Sequence, residues 1–358
     1  MGKSTTKTQQ ETTIHEWATD ELRPMDADYF RMANAKIVED EVLENGHVST
    51  KHTYQVRNLV GGLSYTNAVT HRSVYDSAGN RIESLSSSRT GTKVPTVLRI
   101  PVKRKISGVT ANLYGTVASA EGNYFHWFFD AMARIFIIQN FHSPNSIDNV
   151  LVPPLMYDFQ WESLAALGFD RSKIIELEPL KCLQFDCLLA SSAPRGKGSA
   201  ICPGWSIEKY RNVLLPSANT QRSPVGKRIY ISRRDAPNRM FINETAVCDY
   251  MYSQGFDVIE LTPFSLWEKI AIFRDAELIV GQTGAGLTNL MFCTPNTEVL
   301  ELVDTRFVYP LYASLVNHIG AKHKAHFFST EENLIQSDAI LTRATLNIDE
   351  LSKSLASL

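Results

Sequence analysis

The feature that most constrains the fold is a regular alternation of apolar runs and helix-like segments in the last third of the chain. Four runs rich in Ile, Val and Leu occur at 228–232, 257–261, 277–280 and 297–303. Segments of helical length separate the first three runs, and Ser265 with Glu268 forms a capping box that predicts the start of one helix. Strands that alternate with helices are joined by crossovers, and crossovers produce a parallel sheet. We therefore predict an α/β fold.

The rest of the chain gives weaker signals and predicts a second domain. With 358 residues the chain is too long for one hydrophobic core, which favours about two domains. Residues 53–60 and 95–102 predict strands, and 123–140 predicts a mostly apolar helix. A polar stretch with two prolines at 216–227 is the best domain boundary. The predicted divisions are a flexible leader at 1–20, an N-terminal lobe at 21–220, a C-terminal lobe at 221–335, and a C-terminal helical segment at 336–358, for which packing back on the N-terminal lobe is one arrangement.

Composition excludes several classes of protein. The net charge is −2, whereas a nucleic-acid-binding protein usually carries a strong basic excess. No run of about 18 apolar residues predicts a membrane span, and the polar start lacks the apolar core of a signal peptide. Five cysteines, an odd number at low density, favour reduced thiols in a reducing compartment. We expect a cytoplasmic protein, with peripheral contact at the inner membrane face and the oligomeric state left open.

A glycine-rich turn follows the third apolar run. Gly281, Gly284 and Gly286 lie where a strand passes into a helix, which in a parallel sheet is the carboxyl edge. Helix-start amides and the helix dipole favour an anion there, so the turn from Gly284 to Thr288 is a candidate phosphate site. The spacing matches neither the dinucleotide fingerprint nor the P-loop. A tight strand–helix turn without a ligand is the alternative.

An arginine-rich loop follows the first of these apolar runs. Arg233, Arg234 and Arg239 crowd the segment after Ser232, again at a predicted carboxyl edge. Guanidinium groups bind phosphate oxygens in pairs, so the loop and the glycine turn together predict a diphosphate site. Solvated arginines are the alternative. Asn243 and Glu244 follow the loop. The alternative to a role in ligand binding is that Asn243 caps a helix and that Glu244 is an acidic residue in its first turn.

The predicted helix at 123–140 carries polar residues on an otherwise apolar surface. His126, Asp130 and Arg134 are four residues apart and share one face. Buried charges are costly unless they are paired or functional. Asp130 and Arg134 could therefore form a pair beside a core histidine. The other interpretation is an imidazole and a carboxylate that abstract a proton from a hydroxyl, with Asp130 as the base or as the group that orients His126.

These segments together resemble glycosyltransferase family 61. The resemblance rests on "NYFHWFFDAMAR", "RIYISRRDAPNRMFINE" and "FSLWEKIAIFRDAELIVGQTGAGLTNLMFCTPNTEVLEL", and it covers roughly residues 100–330. It implies a GT-B-like fold in which two Rossmann-like lobes face each other across a cleft. It also implies inverting transfer of a sugar from a nucleotide-diphosphate donor to the hydroxyl of a glycan or lipid-linked glycan. In the bacterial members that this chain resembles, the product is a surface polysaccharide.

The resemblance assigns donor-side roles in the C-terminal lobe. Arg233 and Arg239 would hold the diphosphate together with the glycine turn, and Glu301 would face the ribose. The donor-binding candidates are Arg233, Arg239, Asn243, Glu244, Thr283, Gly284, Ala285, Gly286, Leu287, Thr288, Asn289 and Glu301. The family often has His where this chain has Thr283, and threonine can donate a hydrogen bond to a phosphate but carries no charge.

On the acceptor side, the resemblance makes Asp130 with His126 the base candidate, supported by Asn123 and Arg134. No cofactor other than the donor is expected. A metal is not expected either, because the only Asp-x-Asp sequence, Asp26-Ala27-Asp28, lies far from the nucleotide lobe. Two alternatives stay open. They are a nicotinamide-dependent oxidoreductase, which requires an early and differently spaced glycine fingerprint, and a non-catalytic module that binds sugars or anions.

Overall fold

The computed structural model describes residues 13–24, 41–44, 47–66, 71–88, 93–114, 122–195, 202–236, 238–329 and 343–358. These residues fall into two compact units. The first unit comprises the described parts of 1–18, 53–156 and 168–196, and the second those of 19–52, 157–167 and 197–358. The observed division therefore comes near residue 196 and not at the predicted 220, because the helix Gly204–Ser217 clusters with the second unit.

The first sheet contains ten strands among the described residues. They are β1 Thr13–Pro24, β2 Glu41–Glu44, β3 His47–Val60, β4 Leu63–Thr66, β5 His71–Tyr75, β6 Ser87–Ser88, β7 Val102–Asn112, β8 Asn149–Val152, β9 Ile174–Glu176 and β10 Cys182–Ser191. The order is β6-β5-β4-β10-β7-β8-β9, β3 also pairs with β10, and β1 and β2 pair with β3. The run β10-β7-β8-β9 is parallel, whereas β3 and β4 lie antiparallel to β10.

Two predictions for the early part of the chain are corrected. Residues 13–20 are not part of a flexible leader, because Thr13–Pro24 forms a strand; residues 1–12 lie outside the described part. The strand predicted at 95–102 is absent, since β7 begins only at Val102. Pro95 and Pro101 lack the backbone N–H that a ladder requires, which explains the late start.

The predicted helix at 123–140 is present, with one feature that the sequence pattern does not signal. Helix α1 is composed of α-helical Tyr124–His126, π-helical Trp127–Met132 and α-helical Ala133–Gln139. Trp127, Phe128 and Phe129 are all fully buried, so the wide turn carries bulky side chains into the core of the first unit. π-helical turns are rare and often occur at functional sites.

The second unit contains a five-stranded parallel sheet. The strands are β11 Arg228–Ile231, β12 Asp257–Ile259, β13 Leu278–Gln282, β14 Glu298–Asp304 and β15 Lys322–Phe328, in the order β12-β11-β13-β14-β15. The predicted parallel α/β pattern is therefore confirmed for the first four strands. The pattern missed β15 because an edge strand with the sequence KHKAHFF is too polar to stand out as an apolar run.

Helices accompany this sheet, and one of them corrects a prediction. They are α2 Asp158–Ala166, α3 Gly204–Ser217, α4 Glu244–Ser253, α5 Leu266–Asp275, α6 Leu311–Ile319 and α7 Ile348–Leu355. The capping box at the start of α5 is confirmed, with Ser265 and Glu268 bonded reciprocally. α7 packs on the second unit, where Leu351 joins the cluster of Phe241 and Phe328. The predicted packing of this C-terminal segment on the N-terminal lobe is therefore wrong.

Two further findings concern the sequence expectations. None of the five cysteines, all of which are described, forms a disulfide. Among the helices of the described residues, none is long and apolar enough to cross a membrane.

Candidate functional site

The parallel register of the second sheet brings the arginine loop to the glycine turn. Ile231, the last residue of β11, is the register partner of Gly281 in β13. Both strands therefore end at the same carboxyl edge, where ligands bind in open α/β sheets. Arg233 follows the end of β11, and Gly284 follows the end of β13.

The structure explains why residue 284 is a glycine. A Cβ atom placed there would lie 2.0 Å from Nη1 of Arg233, which is closer than any two such atoms can approach. The φ angle of Gly284 is 176°, an extended conformation open to any residue, so the requirement is space for the guanidinium. The other end of that group is fixed by Asn238, whose carbonyl accepts a hydrogen bond from Nη2 at 2.9 Å.

The other two glycines of the turn allow close packing inside the protein. A Cβ on Gly286 would lie 2.8 Å from Leu261, and one on Gly281 would lie 3.2 Å from Leu287. The close approach that the glycine spacing indicates is thus made by the protein's own side chains, and the arginine at Gly284 is one of them.

Arg239 is a half-buried cation, and two of its nitrogen atoms make no hydrogen bond within the described part of the chain. Its Nε and Nη1 atoms are buried and have no acceptor among the described residues. Its guanidinium lies over the ring of Phe307 at 4.6 Å. Its φ angle of 62° is unusual for a residue other than glycine and holds the side chain in a strained backbone conformation.

The electrostatics of the two arginines favour an anion. Burial, and then the charge of Arg239, lower the pKa of Arg233 to about 10. Burial also lowers the pKa of Arg239, against the opposing influence of Tyr312 and Asp304. Both groups stay charged at neutral pH, and the charge of Arg239 disfavours that of Arg233. An anionic ligand that accepted from both would relieve this cost.

The glycine turn exposes backbone, whereas most of its side chains are buried. Ala285–Phe292 is a 3₁₀ helix, whose first N–H groups have no partner inside the helix. Ala285 and Gly286 are half-buried, so the start of this 3₁₀ helix is less buried than the three residues that follow. Leu287, Thr288 and Asn289 are almost completely buried. The Asn289 side chain donates to the Gly286 carbonyl and holds the turn, and contact of these three residues with a ligand stays a prediction.

Glu301 lies in a buried polar group and does not reach a surface. The residue is fully buried, and its carboxylate accepts from the Thr283 hydroxyl at 2.7 Å and contacts His323 Nε2 at 2.9 Å. This geometry differs from the predicted contact with a ribose. Where the family often has His, this chain has Thr283, and an imidazole comes from His323 on the neighbouring strand and meets the same carboxylate.

Asn243 and Glu244 make hydrogen bonds inside the protein, close to the arginine loop. Asn243 occupies the N-cap position but makes no side-chain cap; its amide instead bonds with both backbone groups of Leu346. Glu244 is buried, and its Oε1 accepts from the Ser232 hydroxyl at 2.7 Å and from Tyr230 at 3.2 Å. Its Oε2 is buried without a partner in the described residues. The capping alternative for Asn243 is therefore wrong, and Glu244 acts mainly on the arginine loop.

The first unit contains a separate polar group on α1. Nδ1 of His126 lies 2.5 Å from Oδ2 of Asp130, at the junction of the α-helical and π-helical turns. Asn123 caps the helix by accepting from the His126 amide at 3.2 Å. The His126 side chain is 26% exposed, and its Nε2 has no hydrogen-bond partner among the described residues. Nδ1 is therefore occupied, and Nε2 is the ring nitrogen left for another partner.

Asp130 is held ionised by a partner that the sequence pattern does not reveal. Arg195, four residues after β10, donates to Oδ1 at 2.8 Å through Nε and to Oδ2 at 3.0 Å through Nη2. Burial alone would raise the pKa of Asp130, but the charge of Arg195 and the hydrogen bonds from His126 and Arg195 outweigh it and hold the pKa well below its usual range. A carboxylate held in this way is a weak base and a good orienting group for His126.

Arg134 does not form the predicted pair with the Asp130 carboxylate. It donates to the backbone carbonyl of Asp130 at 3.0 Å and to the carbonyls of Ser191 and Ser192 at 2.6 and 3.2 Å. It thereby ties α1 to the end of β10. Burial lowers its pKa to about 10, so it stays charged at neutral pH.

Sequence reasoning missed Arg195, His323 and Phe307. Arg195 lies 65 residues from Asp130 in the chain, and only the packing of β10 beside α1 brings the two together. His323 was missed because its strand was missed. For a metal, no suitable group of three His, Cys, Asp or Glu side chains occurs in the described residues, and Asp26 and Asp28 lie outside them. Metal independence stays a prediction.

Part of the chain is similar to known glycosyltransferases. One relative is a beta-1,2-xylosyltransferase from Arabidopsis thaliana, 30% identical over 175 residues that cover 42% of this chain and 32% of the relative. Another is beta-1,2-xylosyltransferase RCN11 from Oryza sativa subsp. japonica, 32% identical over 88 residues that cover 25% of this chain and 15% of the relative. The chain thus matches about a third or less of the length of these relatives.

The family model described as Glycosyltransferase 61 matches residues 124–300. This range includes helix α1, the arginine loop and the glycine turn, which are the segments that carry the resemblance in the sequence. Residues 124–300 of the chain are therefore similar to the Glycosyltransferase 61 family.

Proposed function

We propose that this protein is a glycosyltransferase that uses a nucleoside-diphosphate sugar as its donor. The observation that carries the proposal is Arg239, whose buried Nε and Nη1 have no acceptor among the described residues, beside a second arginine packed on Gly284. Two guanidinium groups and the amides of Ala285 and Gly286 offer donors suited to the oxygens of a diphosphate. The family and the xylosyltransferase relatives support the same class of enzyme.

The donor side of the reaction needs a stabilised leaving group. When the bond between the anomeric carbon and the phosphate oxygen breaks, the electron pair leaves with the diphosphate and its negative charge grows. Arg233 and Arg239 are fixed before the reaction, one by Asn238 and one by Phe307, so they stabilise this charge with little reorganisation. The burial that lowers their pKa also strengthens their interaction with an anion.

The acceptor side needs a base, and we assign that role to His126. Its Nε2 takes the proton of the acceptor hydroxyl while the acceptor oxygen forms its bond to the anomeric carbon. Asp130 accepts from Nδ1, which fixes the tautomer with a free lone pair on Nε2 and stabilises the imidazolium that forms. The sequence leaves two roles open for Asp130, that of the base and that of the group that orients His126. We choose the orienting role because the Asp130 carboxylate is already bonded to Arg195.

Direct displacement by the acceptor inverts the anomeric centre, so we propose an inverting enzyme. The similarity to xylosyltransferases makes nucleotide-linked xylose the first donor to test. A hydroxyl of a glycan or lipid-linked glycan as acceptor, surface polysaccharide as product and a cytoplasmic location are further proposals that rest on the sequence resemblance.

Binding of nucleoside diphosphates tests the donor site directly. We expect UDP or another nucleoside diphosphate to raise the melting temperature and to give a measurable Kd by calorimetry, whereas the parent nucleoside without phosphates does not. NADH serves as the comparison for an oxidoreductase. If no nucleoside diphosphate among UDP, GDP and CDP binds, or if NADH binds instead, the proposed function is wrong.

Turnover then separates an enzyme from a binding module. The protein is incubated with nucleotide-linked sugars, xylose first, and the released nucleoside diphosphate is measured with and without glycan acceptors. We expect release that depends on one donor and rises with its acceptor. Tight diphosphate binding without release from any donor would favour the non-catalytic module.

A further inference from the structure

The amino-terminal ends of the parallel strands β7 and β10 carry a surface that the transfer chemistry does not use. Val102, the first residue of β7, is the register partner of Cys182, the first residue of β10. The segments that enter these strands therefore lie side by side at one edge of the sheet. We call residues 93–105 together with Leu180 and Lys181 the basic tip. Arg195 follows the other end of β10, so the tip and the His126 group lie at opposite edges of the first sheet.

Positive charge is concentrated in the tip. Its five cations between residues 93 and 105 are Lys93, Arg99, Lys103, Arg104 and Lys105. The same segment contains no Asp or Glu, and all five side chains are exposed. None of them forms an ion pair with a carboxylate in the described part of the chain. Because the whole chain has a net charge of −2, this local excess is not a consequence of a basic composition.

Large aliphatic side chains project into solvent among these cations. Val97, Ile100 and Val102 are 45%, 37% and 40% exposed, and Leu180 beside them is 66% exposed. Leu180 also has a φ angle of 61°, which is unfavourable for a leucine. Exposed leucine in a strained conformation contributes nothing to the core, so the arrangement is costly for the fold and points to a partner outside it.

We propose that the basic tip docks the protein on the surface of an anionic lipid bilayer. Lysine and arginine side chains are attracted to anionic headgroups, and the aliphatic side chains enter the boundary between headgroups and acyl chains. A soluble polyanion, such as an acidic glycan or a nucleic acid, would use the cations and leave the aliphatic side chains in water. The two kinds of residue alternate along one segment, which favours the bilayer. This inference stands independently of the transfer reaction.

Vesicle co-sedimentation of the protein tests the proposal. We expect binding to vesicles of phosphatidylcholine mixed with phosphatidylserine, weakening as salt is added, and little binding to phosphatidylcholine alone. A triple variant with Lys103→Gln, Arg104→Gln and Lys105→Gln is expected to lose on the order of 100-fold in partitioning, from about fivefold for each cation. Ile100→Ser with Leu180→Ser is expected to lose about tenfold or more.

A matched control removes the same number of exposed cations elsewhere. Lys209→Gln, Arg222→Gln and Lys353→Gln together are expected to leave vesicle binding unchanged, because these residues lie outside the tip. Circular dichroism and diphosphate binding check that every variant is folded. Equal losses in the control and in the tip variant would overturn the proposal, and so would vesicle binding that Ile100→Ser with Leu180→Ser does not weaken. Binding to heparin without binding to vesicles would assign the tip to a soluble polyanion.

Discussion

The charged side chains on helix α1 have their hydrogen-bond partners within the protein, whereas those at the carboxyl edge of the second sheet are left partly without partners. On helix α1, Asp130 has both carboxylate oxygens occupied by Arg195 and His126, so only the outer nitrogen of His126 has no partner among the described residues. At the carboxyl edge of the second sheet, Arg239 is held by an aromatic ring and a strained backbone while two of its buried nitrogen atoms have no acceptor there.

This difference separates side chains that position from side chains that bind. A buried charge whose partners are complete stabilises a geometry and has little left to offer a ligand. A buried charge without partners costs the folded protein free energy until a ligand of opposite sign arrives. We therefore expect substitutions in the first group to affect turnover and stability without changing affinity for the diphosphate, and substitutions in the second to weaken that affinity.

The largest expected effect comes from the one nitrogen of the first group that is left for substrate. His126→Gln removes the base, and general base catalysis contributes about 10² to 10⁴ in rate. We expect kcat to fall by that range while the Kd for the nucleoside diphosphate is unchanged. Steady-state kinetics and calorimetry measure the two quantities. A kcat within a few fold of wild type would show that His126 is not the base. The distinction between a group that acts in turnover and a group that binds the donor would then fail.

Arg195→Ala tests the completed charges of the first group. It leaves the Asp130 carboxylate buried without its main partner, which costs about 3 kcal/mol or more in the free energy of unfolding. Arg234→Ala is the control, because its ion pair with Glu260 is exposed and is worth about 1 kcal/mol or less. Urea denaturation measures both.

The pH dependence of the same variant checks the cause. In the wild type, the folded-state pKa of Asp130 lies below its unfolded value of about 3.9, so the contribution of the ionised form to stability is complete above this pH and is lost below it. In Arg195→Ala burial dominates and the pKa rises. The stability difference between the two proteins is therefore expected to be largest near pH 7 and to shrink on acidification. A difference independent of pH would mean that Arg195 acts through other contacts.

Arg239→Ala tests the incomplete charges of the second group. The guanidinium can donate two charge-assisted hydrogen bonds to the diphosphate, and their loss is expected to weaken binding by about 100-fold. The free energy of unfolding is expected to stay the same or to rise, because a cation with two buried nitrogen atoms that lack an acceptor is removed. Arg234→Ala again serves as the control for affinity. A large loss of stability with unchanged affinity would place Arg239 in the positioning class.

The sequence predicted the second region better than the first. The alternation after residue 228 fixed the parallel strands, and parallel strands bring Arg233 and Gly284 to one edge because the register allows no other arrangement. The partner of Asp130 was not predictable in this way. Helical spacing favours the near residue Arg134, whereas the observed partner Arg195 comes from a loop 65 residues away, which only tertiary packing selects.

The functional details that the sequence could not supply depend on single contacts. A glycine pattern indicates that something approaches the backbone, but not that Arg233 is the group that does so. The positive φ of Arg239 has no sequence signal, because glycine is the residue usually expected there. The polar edge strand concealed His323 and therefore the imidazole that meets Glu301.

The smallest expected effect tests whether Gly284 matters only through Arg233. In Gly284→Ala the new Cβ displaces the guanidinium, since the two would be 2.0 Å apart, and no backbone strain is added at a φ of 176°. We expect donor affinity to fall by about tenfold, the loss of one charge-assisted hydrogen bond. In an Arg233→Ala background the same substitution has nothing to displace, so we expect no further loss. Calorimetry on the four proteins of this double-mutant cycle gives the coupling between the two residues. Additive losses would mean that Gly284 is required by the ligand itself, and the close approach at the turn would then belong to the phosphate as well as to the arginine.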